Sequence, residues 1–302
     1  MKLKVILLIS ILITAIFPSF SFGVENGIDA AGDPNAVNVS ESSGFLYAPR
    51  IVITAAHLFG NDKYNIDSPV SVKFPGRASN SGGILSIKTF IAPGYLDRKD
   101  PKSSRTDDFA ILILESPMVM KNKVRVATKE DISNFIQNKT QVNMVGYGLQ
   151  YDRNKTPTGN SIKKFPKKLA SRILADDEIR NVKKSLPIDA EYNQDVYFEQ
   201  IPSQGNVCDG DSGAGWFVQD GNTRVYLGAA SSGFGGPNCG KDGIWDPNGS
   251  AVSADAAYRF LDLLKQAEDY AKTAPIRSRC FKGYVFKVIA GNKCPKNFKK
   301  VS

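Results

Sequence analysis

Short runs rich in β-branched and aromatic residues recur through residues 24–253, each bounded by turn-forming residues. Gly44–Leu46, Arg50–Thr54, Val70–Phe74, Ile84–Ile91, Phe109–Leu114, Gln141–Val145 and Arg224–Ala229 read as strands. Asn-Asp, Pro-Gly, Ser-Gly-Gly and Asp-Gly clusters punctuate them. Many short strands of this kind predict an all-β body, built as a sandwich or as barrels. The period changes late in the chain. Ala257, Phe260, Leu261, Leu264, Ala267 and Ala271 fall at helical spacing. They predict a helix over 253–272, with Ser253 as N-cap, Asp255 in the first turn and Pro275 beyond its end. Residues 276–302 form a separate small element with a strand over Tyr284–Ala290. Residues 149–168 are polar and rich in Lys, Asn and Thr, and read as an exposed loop; 175–187 read as a short helix or more loop. No internal repeat is visible.

The first 23 residues stand outside this pattern. Lys2 and Lys4 precede a thirteen-residue, almost wholly apolar stretch, Val5–Phe17, which Pro18 breaks. Ser21 and Gly23 supply small residues before a cleavage point. This is the layout of a secretory signal peptide, and the stretch is shorter than the ~20 residues of a membrane span. The mature protein is expected to be secreted. With 302 residues, 42% hydrophobic and 23% charged, the chain has ordinary globular composition and no tract that implies wholesale disorder. Four cysteines behind a signal peptide imply disulfides. Of three pairings, Cys208–Cys239 and Cys280–Cys294 are favoured because each pair lies within its own segment. No C-x-x-C spacing occurs, and Asn61–Asp67 offers a calcium loop only with unpersuasive ligand spacing, so no metal site is assigned and no cofactor is expected.

Charge is unevenly distributed. The net charge of +9 falls to +7 once Lys2 and Lys4 leave with the signal. Residues 273–302 carry eight basic residues (Arg277, Arg279, Lys282, Lys287, Lys293, Lys296, Lys299 and Lys300) and no acid, so residues 24–272 sum to −1. A near-neutral body with a basic tail points to anionic partners, such as an envelope or surface polymer, for residues 273–302. Specific nucleic-acid recognition is not expected, and the protein reads as a monomer.

Three segments carry candidate chemistry. Ile51–His57 is a buried β-run ending in two alanines and the chain's single histidine. Asp108–Leu114 is a carboxylate opening an apolar strand. Cys208–Gly215 sets Ser212 in a glycine-rich turn. Each motif alone is common. Together they hold what acyl transfer by a serine requires: an imidazole to accept the hydroxyl proton, a carboxylate to fix the imidazole's tautomer, and backbone N–H groups for the oxyanion.

On these residues the chain resembles the chymotrypsin/trypsin-like serine peptidase family. Thr54-Ala55-Ala56-His57, Asp108-Phe109-Ala110-Ile111-Leu112 and Gly210-Asp211-Ser212-Gly213 match its motifs in order and approximate spacing. Val24–Ala30 is similar to the family's mature N-terminus, Val145–Gly148 to its Gly-aromatic-Gly segment, and Leu227-Gly228 with Ser231–Gly233 to the strand lining the substrate cleft. The resemblance implies two six-stranded antiparallel β-barrels followed by a helix and a basic tail. The divisions are 1–23 signal peptide, 24–128 first barrel, 129–252 second barrel, 253–272 helix and 273–302 disulfide-stapled tail. It implies a secreted endopeptidase of polypeptides, with Ser212 as nucleophile, His57 as base and Asp108, rather than Asp107, as orienting acid. It places the oxyanion donors at Gly210 and Ser212, and the cleft at Asn206, Ser231, Ser232 and Gly233. The α-amino group of Val24 would pair with Asp211, and Cys208–Cys239 would shape the primary pocket. Asn206 carries no charge, so a trypsin-like taste for Lys or Arg would need an acid from elsewhere, such as Asp209, Asp242 or Asp246. A catalytically silent homologue acting as a binding module, or a protein whose main role is envelope binding through the tail, are the alternatives.

Overall fold

The computed structural model describes residues 27–300 except 41, 60–67, 75–82, 97–106, 149–165, 185–194, 202–204, 235–249, 283–284 and 292. Six strands close the first barrel: β2 (Ala36–Val39), β3 (Ser42–Ala48), β4 (Ile51–Thr54), β5 (Ser71–Lys73), β6 (Ile84–Ile91) and β7 (Ala110–Leu114), in the order β2-β3-β4-β7-β6-β5. All neighbouring pairs are antiparallel. Strands β4 and β7 are buried at every position, which explains their continuous apolar reading. Val37, Leu46, Val52, Leu112 and Leu114 fill the interior with Val72 and Ile84.

The second unit also reads as the expected barrel, but its strands divide between two sheets. One holds β1 (Ile28–Asp29), β8 (Lys123–Val126), β9 (Val142–Gly146), β10 (Lys167–Ser171), β12 (Gly215–Asp220) and β13 (Thr223–Ala229). The other holds β11 (Val196–Glu199), β14 (Ser232–Phe234) and β15 (Ala251–Ala254). A bridge between Ile173 and Phe198 links the sheets. They enclose one core, in which Trp216 and Phe198 stack at 4.1 Å beside Met144, Leu169, Val225 and Val252. Strand β8 runs parallel to β13, an exception to the antiparallel rule. It lies within 24–128, yet it pairs with the second unit. The polar stretch expected as a loop ends early: Lys167 and Lys168 open β10, while 149–165 lie outside the described residues.

Among the described residues, three helices of eight or more residues accompany the strands, beside a single helical turn at Pro93–Leu96. Helix α1 (Lys129–Gln137) has no counterpart in the sequence reading. Its signal was present: Thr128 and Asp131 form a reciprocal capping box. Helix α2 (Asp176–Lys183) settles the ambiguity over 175–187 for its described part. Helix α3 (Leu261–Thr273) begins later than its period implied. Ser253, expected as N-cap, is a fully buried residue of β15, and a 3-10 turn at Ala257–Phe260 intervenes. The reason is pairing: β15 lies between β11 and β14 and is hydrogen-bonded on both sides, which outweighs local helix preference.

The two units share a core. Phe45 stacks on Tyr226 at 4.7 Å, and Phe109 on Phe260 at 4.4 Å. Such aromatic pairs are worth about 0.5–1.5 kcal/mol beyond burial. Asp33 and Arg224 form a two-pronged ion pair, both bonds 2.7 Å. At the end of α3, buried Arg50 donates to the carbonyls of Ala271, Ala274 and Pro275, where the helix dipole favours a cation. The tail follows as a three-stranded sheet of β16 (Arg277–Lys282), β17 (Val285–Ala290) and β18 (Lys299–Lys300), in the order β17-β16-β18. The Cys280–Cys294 disulfide is formed. Arg279 ties the sheet to buried Glu115 of the first barrel at 2.8 Å. Cys208 is also disulfide-bonded; Cys239 lies outside the described residues.

Candidate active site

Three chain segments converge where the units meet. Strand β4 ends at Thr54, and the chain passes through Ala55 and Ala56, both fully buried, into a 3-10 turn that presents His57. Small residues are needed because the Ser212 turn lies against this strand end. A Cβ on Gly213 would come 2.1 Å from Thr54 Oγ1, 2.4 Å from the Ser43 carbonyl and 3.0 Å from Ala55 N. Gly213 also has φ +84°, where only glycine avoids a steric cost.

Asp108 enters from the start of β7. Asp107 sits at φ +59°, a left-handed conformation that aspartate tolerates better than most residues, and Phe109 N–H donates to the Asp107 carbonyl at 2.7 Å. The side chain of Asp108 has no exposed surface. Its Oδ1 accepts from His57 N–H at 2.7 Å. Its Oδ2 lies 2.6 Å from His57 Nδ1 and accepts the Ser231 hydroxyl at 2.5 Å. Across the ring, His57 Nε2 lies 2.9 Å from Ser212 Oγ. Burial pushes the Asp108 carboxyl up, but the adjacent imidazole and the hydrogen bonds from His57 and Ser231 outweigh it, and the net shift is downward. An ionised carboxylate only accepts, so Nδ1 carries the ring proton and Nε2 presents its lone pair to the serine. Asp107 does not join this row; it pairs with Arg259 at 2.7 Å.

Ser212 is set by a turn that Ser43 fastens. Ser43 N–H donates to the Ser212 carbonyl at 3.1 Å, its hydroxyl donates to the Gly210 carbonyl at 2.7 Å, and that hydroxyl accepts from Tyr147 N–H at 2.8 Å. Sequence reasoning missed Ser43, since a serine inside a strand carries no signal of its own. Gly210 has φ +90°. The N–H groups of Gly210 and Ser212 donate to no acceptor among the described residues, which leaves them available to a developing negative oxygen.

Asp211 is fully buried. Its carboxylate accepts from Gly148 N–H at 2.7 Å and Cys208 N–H at 2.9 Å, and no cation contacts it among the described residues. Burial raises its pKa to about 7 against the pull of those two amides, with Asp209 adding a smaller push. The folded state therefore binds a proton that the unfolded state releases. Stability from this group is present below the ordinary aspartate range and is lost as pH rises from about 4 to about 7, an effect on the order of 4 kcal/mol.

Of the residues expected in the cleft, only Ser231 has a hydrogen bond to this row among the described residues. Ser231 is buried, and its hydroxyl goes to Asp108 rather than outward. Ser232 and Gly233 lie on β14, the edge strand of its sheet, paired to β15 on one side only among the described residues. Asn206 is buried, at 4% exposure. Of the acids that could have charged the pocket, Asp209 is exposed, and Asp242 and Asp246 lie outside the described residues. The described residues contain no cluster of three or more metal-ligating side chains, and no helix among them is long and apolar enough to cross a membrane.

A family model described as Trypsin matches residues 28–248, a span that holds His57, Asp108 and Ser212 and stops before α3 and the tail. No curated protein matches the chain.

Proposed function

The chain belongs to the trypsin family and is a trypsin-like serine peptidase; from that premise we propose that it is a secreted endopeptidase that cleaves polypeptides through an acyl-enzyme. The observation that carries this reading is the hydrogen-bonded row Asp108–His57–Ser212. Ser212 Oγ attacks the scissile carbonyl as its proton passes to His57 Nε2. Asp108 holds the ring and stabilises the imidazolium. The oxyanion is received by the N–H groups of Gly210 and Ser212, each such donor being worth about 3–4 kcal/mol. The imidazolium then protonates the leaving amine, and water repeats the sequence to free the acid product. Substrate backbone is read along β14 at Ser232–Gly233, in the manner of an added strand. Asn206, which resemblance puts at the base of the pocket, carries no charge, which favours an uncharged substrate side chain over Lys or Arg. A covalent serine-directed phosphonate tests the proposal. It should label the protein at Ser212 and leave Ser212→Ala unlabelled; well-folded protein that resists labelling would favour the silent binding homologue.

Activation follows from the burial of Asp211 with no cation beside it among the described residues. Cleavage after Gly23 would free Val24, whose ammonium then pairs with this carboxylate and holds it ionised. N-terminal sequencing of the secreted form should return Val24. The processed enzyme should keep its melting temperature between pH 4 and 7, whereas a form extended at the N-terminus should lose several degrees over that range. Equal pH dependence in the two forms would refute the pairing.

The tail supports a second, additional role as an anionic-polymer anchor. Arg277, Lys282, Lys287, Lys293, Lys296 and Lys299 are exposed on or beside its small sheet, while Arg279 is engaged with Glu115. Deleting the tail would strand buried Glu115, so replacing the five exposed lysines with glutamine is the cleaner test. That variant should elute from an anionic polysaccharide matrix at clearly lower salt with peptidase activity unchanged. Elution at the parent's salt concentration would remove the anchoring role.

A further inference from the structure

Behind the catalytic carboxylate lies a second one that the reaction steps above do not use. Asp255 follows β15, and its side chain is 1% exposed. Its Oδ2 accepts the main-chain N–H of Asp108 at 2.8 Å. Its Oδ1 accepts Arg259 Nη1 at 3.0 Å. Arg259 holds two more carboxylates, Asp195 through Nη1 at 2.9 Å and Asp107 through Nη2 at 2.7 Å. Asp195 in turn accepts Ala256 N–H at 3.0 Å. The next residue on each side completes the contact, with Phe109 stacked on Phe260.

The provenance of these groups matters. Asp107 and Asp108 lead into β7 of the first barrel. Asp195, Asp255 and Arg259 belong to the second unit and its exit toward α3. The serine and the imidazole–carboxylate pair also come from opposite units, so catalysis depends on how the units are registered at this seam. Asp107 at φ +59° would be costly to hold without a partner, and Arg259 supplies one.

We propose that Asp255 and Arg259 are positioning residues for the catalytic aspartate: the Asp255 carboxylate fixes the main chain of Asp108 and adds negative potential behind the imidazole, and Arg259 locks that carboxylate to Asp107 across the seam. The proposal rests on the reading of Asp108–His57–Ser212 as a working triad. The charges facing Asp255 are Asp108 with His57 beyond it, Asp195, and Arg259. They form an alternating row from Arg259 through Asp255 and Asp108 to His57, in which each negative group has a cation or N–H donor beside it. Burial raises Asp255 to about 7, the Asp108 N–H is the main opposing influence, Asp195 and Asp108 push the same way as burial, and Arg259 opposes them more weakly.

The test uses the full secreted enzyme with active sites counted by phosphonate titration. Asp255→Asn should lower kcat per titrated site at least tenfold with KM within threefold. The acid limb of its kcat/KM profile should move to lower pH, because an imidazolium with less negative charge behind it gives up its proton more readily. A variant that loses activity only in proportion to its titratable sites, with the acid limb unmoved, would overturn the proposal. Should Asp255→Asn yield no folded protein, Arg259→Gln, at the half-exposed end of the row, decides by the same tenfold fall in kcat per site against a change within twofold. If the parent enzyme itself is not titrated, the triad reading fails and not the positioning role alone.

Discussion

Ser212→Ala should lower kcat on a peptide substrate by about four to six orders of magnitude while the melting temperature should stay within a degree or two. The Oγ atom makes one contact that matters to the row, the 2.9 Å bond to His57 Nε2. Everything that builds the turn belongs to the main chain or to neighbours. Ser43 holds the Ser212 carbonyl and the Gly210 carbonyl, Gly213 N–H donates to Ala230, and Asp211 is held by the amides of Gly148 and Cys208. None of these is lost with the hydroxyl, so the fold and the N–H groups of Gly210 and Ser212 should persist. His57→Ala should cost about as much, and the double variant little more than either alone, because the two groups act in one proton transfer. Rates measured with excess enzyme, beside thermal melts of each variant, check this. A Ser212→Ala enzyme within tenfold of the parent would mean that the hydrolysis runs through another nucleophile.

Much of this architecture was legible in the chain because β-runs and their turns are local signals. Ile84–Ile91 was bounded to the residue, and β3, β4, β7, β9 and β13 to within two at each end. The hydrogen-bonded row of Asp108, His57 and Ser212 was legible for a different reason. His57 is the only histidine, and each partner carries its own flanking pattern: small residues before the histidine, an apolar run after Asp108, glycines around Ser212. What stayed hidden was non-local. Ser253 looks like a helix cap until β11 and β14 pair with its strand from both sides. Ser43 and Arg259 are anonymous in sequence, and Asp255 reads there only as a first-turn acid of a helix that in fact starts later, since their roles arise only when segments more than 100 residues apart meet. Ser231 was placed with the cleft from resemblance, but the direction of its hydroxyl needed coordinates.

Asp108→Asn should cost about four orders of magnitude in kcat, close to 5.5 kcal/mol of transition-state stabilisation, although the substitution is nearly isosteric. The carboxylate takes three hydrogen bonds from donors: His57 N–H, His57 Nδ1–H and the Ser231 hydroxyl. An asparagine offers one accepting oxygen and one donating NH2 group. With its oxygen kept on His57 N–H, the NH2 group faces both Nδ1 and the Ser231 hydroxyl. The side chain at 108 has no exposed surface, so water cannot relieve the clash. The imidazole escapes by moving its proton to Nε2 so that Nδ1 can accept. Nε2–H then points at Ser212 Oγ, and the base can no longer take the serine proton. Turning the amide over only moves the conflict onto His57 N–H. The same residue leaves a mark on stability. Because the folded Asp108 carboxyl sits below its ordinary range, its contribution is present above about pH 4 and is lost as pH falls through the lowered value. The asparagine enzyme should therefore melt with a flatter pH dependence on the acid side than its parent. Asp107→Asn separates the neighbours: it removes a contact to Arg259, leaves all three acceptor contacts of Asp108 in place, and should lose no more than about tenfold. If the two asparagine variants lost activity equally, the orienting role would not belong to Asp108.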